Sequence, residues 1–146
     1  MSNLVPTTRR PRRSRRWPTL ADIGRLVEEP RQAGTRIDFD MNVEDTDAVP
    51  AALGRDAYRI VQEALTNIGK HASGAAARVR VDGAPTGGLH ISVRNPEPAH
   101  TRSGPSPPGS GAGLLGLQER VALTGGTLVH GPDGSGDFVV EADLRW

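Results

Sequence analysis

The stretch Asp56-Ala-Tyr-Arg-Ile-Val-Gln-Glu-Ala-Leu-Thr-Asn-Ile-Gly-Lys-His71 constrains this chain more than any other. Ala57, Ile60, Val61, Ala64, Leu65 and Ile68 recur in steps of three and four, the pattern of a helix with one face in a core. Arg59, Glu63, Asn67 and Lys70 recur at i, i+4, i+8 and i+11, and at about 100° per residue they fall within roughly 80° of arc. One helix thus packs into a core and carries a carboxylate, a carboxamide and an ammonium in a row along another face. The oxygens of Glu63 and Asn67 suit a hard cation such as Mg²⁺, and Lys70 suits a phosphate. A solvated face with a single i,i+4 polar pair fits the helix alone equally well.

A length of 146 residues implies one domain. The hydrophobic content of 36% with 3% aromatics implies a modest core of Leu, Val, Ile and Ala. There is no cysteine, which excludes disulfides and thiolate metal sites and fits a reducing compartment, so a cytoplasmic location is expected. No apolar run reaches the ~18 residues of a membrane span, and the N-terminus lacks the apolar segment of a signal peptide. The net charge of +1 hides an asymmetry. Six arginines and no acid lie in residues 1–17, which leaves 12 basic against 17 acidic residues in the remainder. Residues 1–18 read as a disordered, Arg-rich tail. A nucleic-acid or membrane arm is the other reading of such a tail, against a plain solvated one. Lys70 is the only lysine of the chain.

Beyond the tail the periodicities predict an ordered series. Thr19-Leu-Ala-Asp22 reads as a capping box with Asp for the usual Glu, opening a helix through Leu20, Ile23, Leu26 and Val27 that Pro30 ends or kinks. Ile37, Phe39, Met41 and Val43 alternate as a half-buried strand. An acidic loop, residues 44–50, leads into the central helix, and Ser73-Gly74 turns the chain after it. Ala77, Val79 and Val81, then Leu89, Ile91 and Val93, predict an antiparallel hairpin. Residues 96–110 hold five prolines and predict a mobile connection. Gly109-Ser-Gly-Ala-Gly113 then opens a helix from Leu114 to Leu123, and a glycine-rich helix start is an anion site in outline. Gly-rich linkers share that composition. Thr127–His130 and Phe138–Leu144 complete the set. The order predicts an α+β, two-layer α/β sandwich, a mixed sheet covered on one face by helices.

Tyr58-Arg-Ile-Val-Gln-Glu-Ala-Leu-Thr-Asn-Ile-Gly-Lys-His-Ala72 resembles the N box of bacterial sensor histidine kinases, in particular the nitrate-sensor and DesK-like branch. Gly109 to Gly126 resembles that branch's second glycine box and the helix after it. The resemblance covers residues 19–146 as a GHKL, histidine kinase-like ATPase domain with an ATP lid at about 96–110. It implies that Asn67 holds Mg²⁺ against the triphosphate of ATP, that Glu63 polarises a metal-bound water, and that Lys70 meets phosphate. His71 would edge the pocket, although a capping histidine fits equally. Gly111 and Gly113 would admit phosphate to the lid backbone, and Leu114 and Gly116 would begin the facing helix.

Two departures from the family pattern stand out. Its first glycine box normally supplies an Asp to the adenine amino group, and here the strand ends Val93-Arg-Asn95-Pro-Glu-Pro98 with neither Asp nor glycine. The family's phosphoacceptor hairpin has no counterpart in residues 1–18, so autophosphorylation by this chain alone is not expected. The implied function is an ATP-dependent protein-histidine kinase catalytic domain. It would work with a phosphoacceptor and dimerisation domain and a response regulator. A degenerate domain that only binds a partner, and an anti-sigma-type protein-serine kinase, are the alternatives. Nucleic-acid binding rests on the Arg tail alone.

Overall fold

The computed structural model describes residues 17–71, 76–96 and 112–146, with Lys70, His71 and Ala112 described by their backbone alone. Helix α1 spans Ile23–Gln32, strand β1 Ile37–Val43, helix α2 Ala51–His71, strands β2 Ala77–Ala84 and β3 Gly88–Pro96, helix α3 Ala112–Leu123, and strands β4 Thr127–Pro132 and β5 Asp137–Leu144. The expected Ser73-Gly74 turn, the segment 97–110 and Gly111 lie outside the described residues.

The strands form one sheet in the order β1-β2-β3-β5-β4, parallel between β1 and β2 and antiparallel elsewhere. The register sets apolar residues in rows across the strands. Phe39 pairs with Val79, Val79 with Val93 and Val93 with Val140; Met41, Val81, Ile91, Ala142 and Leu128 form the next row. Ile23 and Val27 of α1, Ala57, Ile60, Val61, Ala64 and Ile68 of α2, and Leu114, Leu117 and Val121 of α3 are buried in the same core. The other face of the sheet carries Asp38, Asp40, Arg78, Arg80, His90, Ser92, Arg94 and Glu141, none of them buried. A period of two puts these chemically opposite sets on opposite faces. The result is the α+β two-layer fold that the sequence predicts.

The expected capping box between Thr19 and Asp22 forms. The Thr19 N–H donates to Asp22 Oδ2 at 2.8 Å, opening a 3-10 turn, Leu20–Asp22, that runs into α1. Pro30 does not end α1, which continues to Gln32. A proline this late removes only its own donor to the Leu26 carbonyl. Beyond it, Arg31 pins the helix end to the free edge of β1, donating from Nε and Nη2 to the Ile37 carbonyl at 3.0 and 2.7 Å. Gly34, at φ +96°, then makes the exit that a side chain would disfavour.

Candidate functional site

Helix α2 begins at Ala51, a turn and a half before the stretch that anchors the sequence reading. Its apolar stripe is buried as expected, and its polar stripe is not simply solvated. Glu63 and Asn67 are half-buried one turn apart, while Arg59 is exposed. Lys70 lies on the same helix one turn further on.

Helix α3 explains why Glu63 is half-buried. A Cβ placed on Gly113 would overlap Glu63 Oε2 and stand 2.6 Å from Cδ. The start of α3 therefore rests against the Glu63 carboxylate. Seven residues along each helix, Arg120 Nε lies 3.3 Å from Asp56 Oδ1. One contact joins 63 to 113 and the other joins 56 to 120, so the two helices run antiparallel. Residues 56 and 63 share one helix face, since seven residues return to within about 20°. The polar stripe of α2 thus begins at Asp56. Its first half lies under α3, and its second half, with Asn67, continues past the α3 N-terminus. The first N–H groups of α3 have no intrahelical acceptor and form the positive end of the helix dipole.

Asn95 lies at the same end of the molecule. Arg78 pairs with Arg94, so Asn95 stands level with Ala77, the first residue of β2 after the α2 C-terminus. It shares parity with Leu89, Ile91 and Val93 and ends their core-facing row, at 5% exposure. Its Nδ2 donates to the Pro96 carbonyl at 3.2 Å. A buried amide ending an apolar row is a place for a polar ligand group.

No family model matches the sequence, and no curated protein is similar to it at the sequence level. The fold has close counterparts among solved structures. The blue-light activated histidine kinase EL346 of Erythrobacter litoralis superposes with a TM-score of 0.63 over 88% of this chain at 20% identity. The mycobacterial sensor histidine kinase MprB gives 0.54 over 85% at 21% identity. The catalytic domain of histidine kinase ThkA gives 0.57 over 86% at 14% identity. The fold is that of a histidine kinase catalytic domain. This chain spans 42% of the EL346 chain, 93% of the MprB chain and 90% of the ThkA chain.

Within that fold, the structure brings Glu63, Asn67 and Gly113 together and puts Asn95 at the same end of the sheet. Leu114 is 1% exposed, so its side chain belongs to the core and only its backbone faces the helix start. Gly116 is exposed, with nothing within 4 Å of the position a Cβ would take. Lys70 and His71 are placed in α2 by their backbone alone, and Gly111 lies outside the described residues. Glu63 and Asn67 offer hard oxygen donors. No three His, Cys, Asp or Glu side chains converge among the described residues. That donor set suits Mg²⁺, which is held by one or two protein oxygens together with substrate phosphates. A cleft of about 530 Å³ at the opposite end of the sheet is lined by Gly88, Gly126, Asp143, Leu144, Arg145 and Trp146, among others.

Two features escaped the sequence reading. Asp56 was the first residue of the quoted stretch, and Arg120 belongs to the Leu-Gln-Glu-Arg run, yet nothing in one dimension pairs them. Seven-residue spacing from Glu63 was the available signal for Asp56. Trp17 falls in the Arg-rich stretch that composition marks as tail, yet its ring lies 4.9 Å beneath the Arg55 guanidinium of α2. No helix among the described residues is long and apolar enough to cross a membrane.

Proposed function

We propose that this chain binds ATP with Mg²⁺ at the end of the sheet where Glu63, Asn67, Asn95 and the start of α3 meet. It then serves as the phosphoryl-donating domain of a two-component histidine kinase. The observation that carries this reading is the antiparallel keying of α3 on α2, which starts α3 beside Glu63 and leaves Asn67 one turn beyond its N-terminus. Asn67 would hold the metal and Lys70 a phosphate. Glu63 would orient a water, and the first N–H groups of α3 would cradle the phosphate oxygens. Mg²⁺ supplies neutralisation of the phosphate charge, and phosphoryl transfer asks little of a protein beyond positioning and such neutralisation. Asn95 would receive the adenine. The phosphoacceptor histidine would come from a dimerisation domain, in another chain or another part of a longer protein, and a response regulator would take the phosphoryl group on.

Asn95 tests this reading. A carboxylate accepting from an amino group makes a bond roughly twice as strong as a neutral acceptor does. Asn95→Asp is expected to tighten ATP by about 1–2 kcal/mol, roughly five- to thirtyfold. It should do less for a purine triphosphate without the exocyclic amine. The same change replaces the Nδ2 donor to Pro96 by a carboxylate oxygen at a site only 5% exposed, and should cost about 1–3 kcal/mol of stability or more. Calorimetric titration with both nucleotides separates the two effects, because a stability change weakens both alike. Unchanged or weaker ATP binding by Asn95→Asp would remove Asn95 from the adenine and favour a domain that has kept the fold for partner binding.

A further inference from the structure

Helix α3 poses a register problem. Leu114, Leu117 and Val121 face the core, yet Leu115 and Leu123 are exposed, at 54% and 87%. A helix apolar on several sides has little in its burial pattern to fix its rotation or its level against a neighbour. Asp56 sits opposite it, 7% exposed, among the buried Ala57 and Ile60. Its Oδ1 takes no hydrogen bond, and Arg120 Nε at 3.3 Å is an ion-pair contact. A buried carboxylate so sparsely satisfied contributes little to stability compared with an apolar residue of similar volume, and registry is the best-attested use of such pairs.

We propose that Asp56 and Arg120 are positioning residues for the nucleotide. The pair fixes the level of α3 along α2. Two turns away, about 10 Å, that level decides where the free N–H groups of α3 stand relative to Glu63 and Asn67. Gly113 completes the key, since its missing side chain is the notch that admits the Glu63 carboxylate. Neither Asp56 nor Arg120 touches the ligand. The inference rests on the nucleotide reading above, and the experiment separates the two.

Arg120 is half-exposed, so Arg120→Gln, Arg120→Lys and, as a second route, Asp56→Asn are suitable variants. Hydrogen exchange would follow the amides of Gly116 and Leu117, the first in α3 able to bond back within the helix, with Val79 and Ile91 as references for global stability. Calorimetry with a non-hydrolysable ATP analogue and Mg²⁺ would follow affinity. Arg120→Gln and Asp56→Asn are expected to speed exchange at Gly116 and Leu117, leave Val79 and Ile91 unchanged, and weaken the analogue roughly tenfold. Arg120→Lys, which keeps the charge, should restore most of both. Unchanged exchange in α3, equal acceleration in α3 and the sheet, or unchanged affinity in the Gln variant would each overturn the proposal. The exchange pattern in the variants, together with wild-type protein that binds no nucleotide, would keep the keying of α3 on α2 and overturn both the nucleotide reading and the positioning role.

Discussion

The two ends of the sheet both carry glycines at close approaches, but what stands opposite them differs. At the end of α2 that bears Asn67, the atom facing Gly113 belongs to the tip of a side chain, the Glu63 carboxylate. At the other end the glycines face backbone. A Cβ on Gly88 would stand 2.7 Å from the Leu144 carbonyl oxygen, and one on Gly126 2.6 Å from that of Asp143. A side-chain tip can swing away, whereas a paired strand carbonyl cannot move without breaking the ladder. Glycine at the far end therefore serves stability, and glycine at the α3 start serves the arrangement of polar groups. The difference also explains why the cleft at Gly88 and Gly126 is the weaker candidate for chemistry: packing alone accounts for its glycines.

The largest expected effect is at the far end. Gly88 has φ +78° as well as the backbone contact. Gly88→Ala should therefore cost about 2 kcal/mol or more in urea unfolding, while the folded protein keeps its nucleotide affinity. A loss of affinity without a loss of stability would reverse the assignment of the two ends. Gly113→Ala should do the opposite. The methyl group adds helix propensity, of order 0.5–1 kcal/mol, which offsets the cost of displacing Glu63. Stability should then stay within about 0.5 kcal/mol, while Mg²⁺-dependent affinity falls. Gly116→Ala, with open space around it, is the control that should leave affinity unchanged. An equal response in the two variants would show that Glu63 does not depend on the notch.

The smallest effect is electrostatic and should leave binding alone. Asp133 lies in the turn between β4 and β5, where its Oδ1 accepts from the Ser135 N–H and hydroxyl, each at 2.8 Å. These bonds, with a further one from the Asp137 N–H and the nearby Arg94, hold its carboxyl below the usual value of 3.8. A depressed folded-state pKa contributes stability above the unfolded pKa, and that contribution is lost as pH falls through the folded pKa. Wild type should lose more urea midpoint than Asp133→Asn on acidification below about pH 4. Parallel losses in the two proteins would assign the acid sensitivity elsewhere.

Most of the fold was legible because strand parity and helical periodicity carry it. The β2–β3 hairpin, the alternation in β1 and β5 and the buried stripe of α2 all follow from one-dimensional spacing. Pro30 misled because its effect depends on how much helix follows, and Arg31 anchors the two residues that do. The polar stripe of α2 was legible as far as Glu63 and Asn67. Its extension to Asp56 was not, because the residue that gives Asp56 its meaning arrives 64 positions later on another helix. Leu114 combines two roles that one dimension does not separate: its backbone belongs to the start of α3, and its side chain, 1% exposed, is a core residue.

The central claim is that Asn67 and its neighbours at the α3 N-terminus form a Mg²⁺–nucleotide site. Titration of a non-hydrolysable ATP analogue into wild type and Asn67→Ala, each with and without Mg²⁺, tests it most directly. Asn67 is half-buried on a helix surface, so its replacement should leave stability within about 0.5 kcal/mol. The account predicts that Mg²⁺ strengthens binding to wild type, and that Asn67→Ala loses this gain, about tenfold or more in affinity. Equal affinities in all four titrations would contradict it.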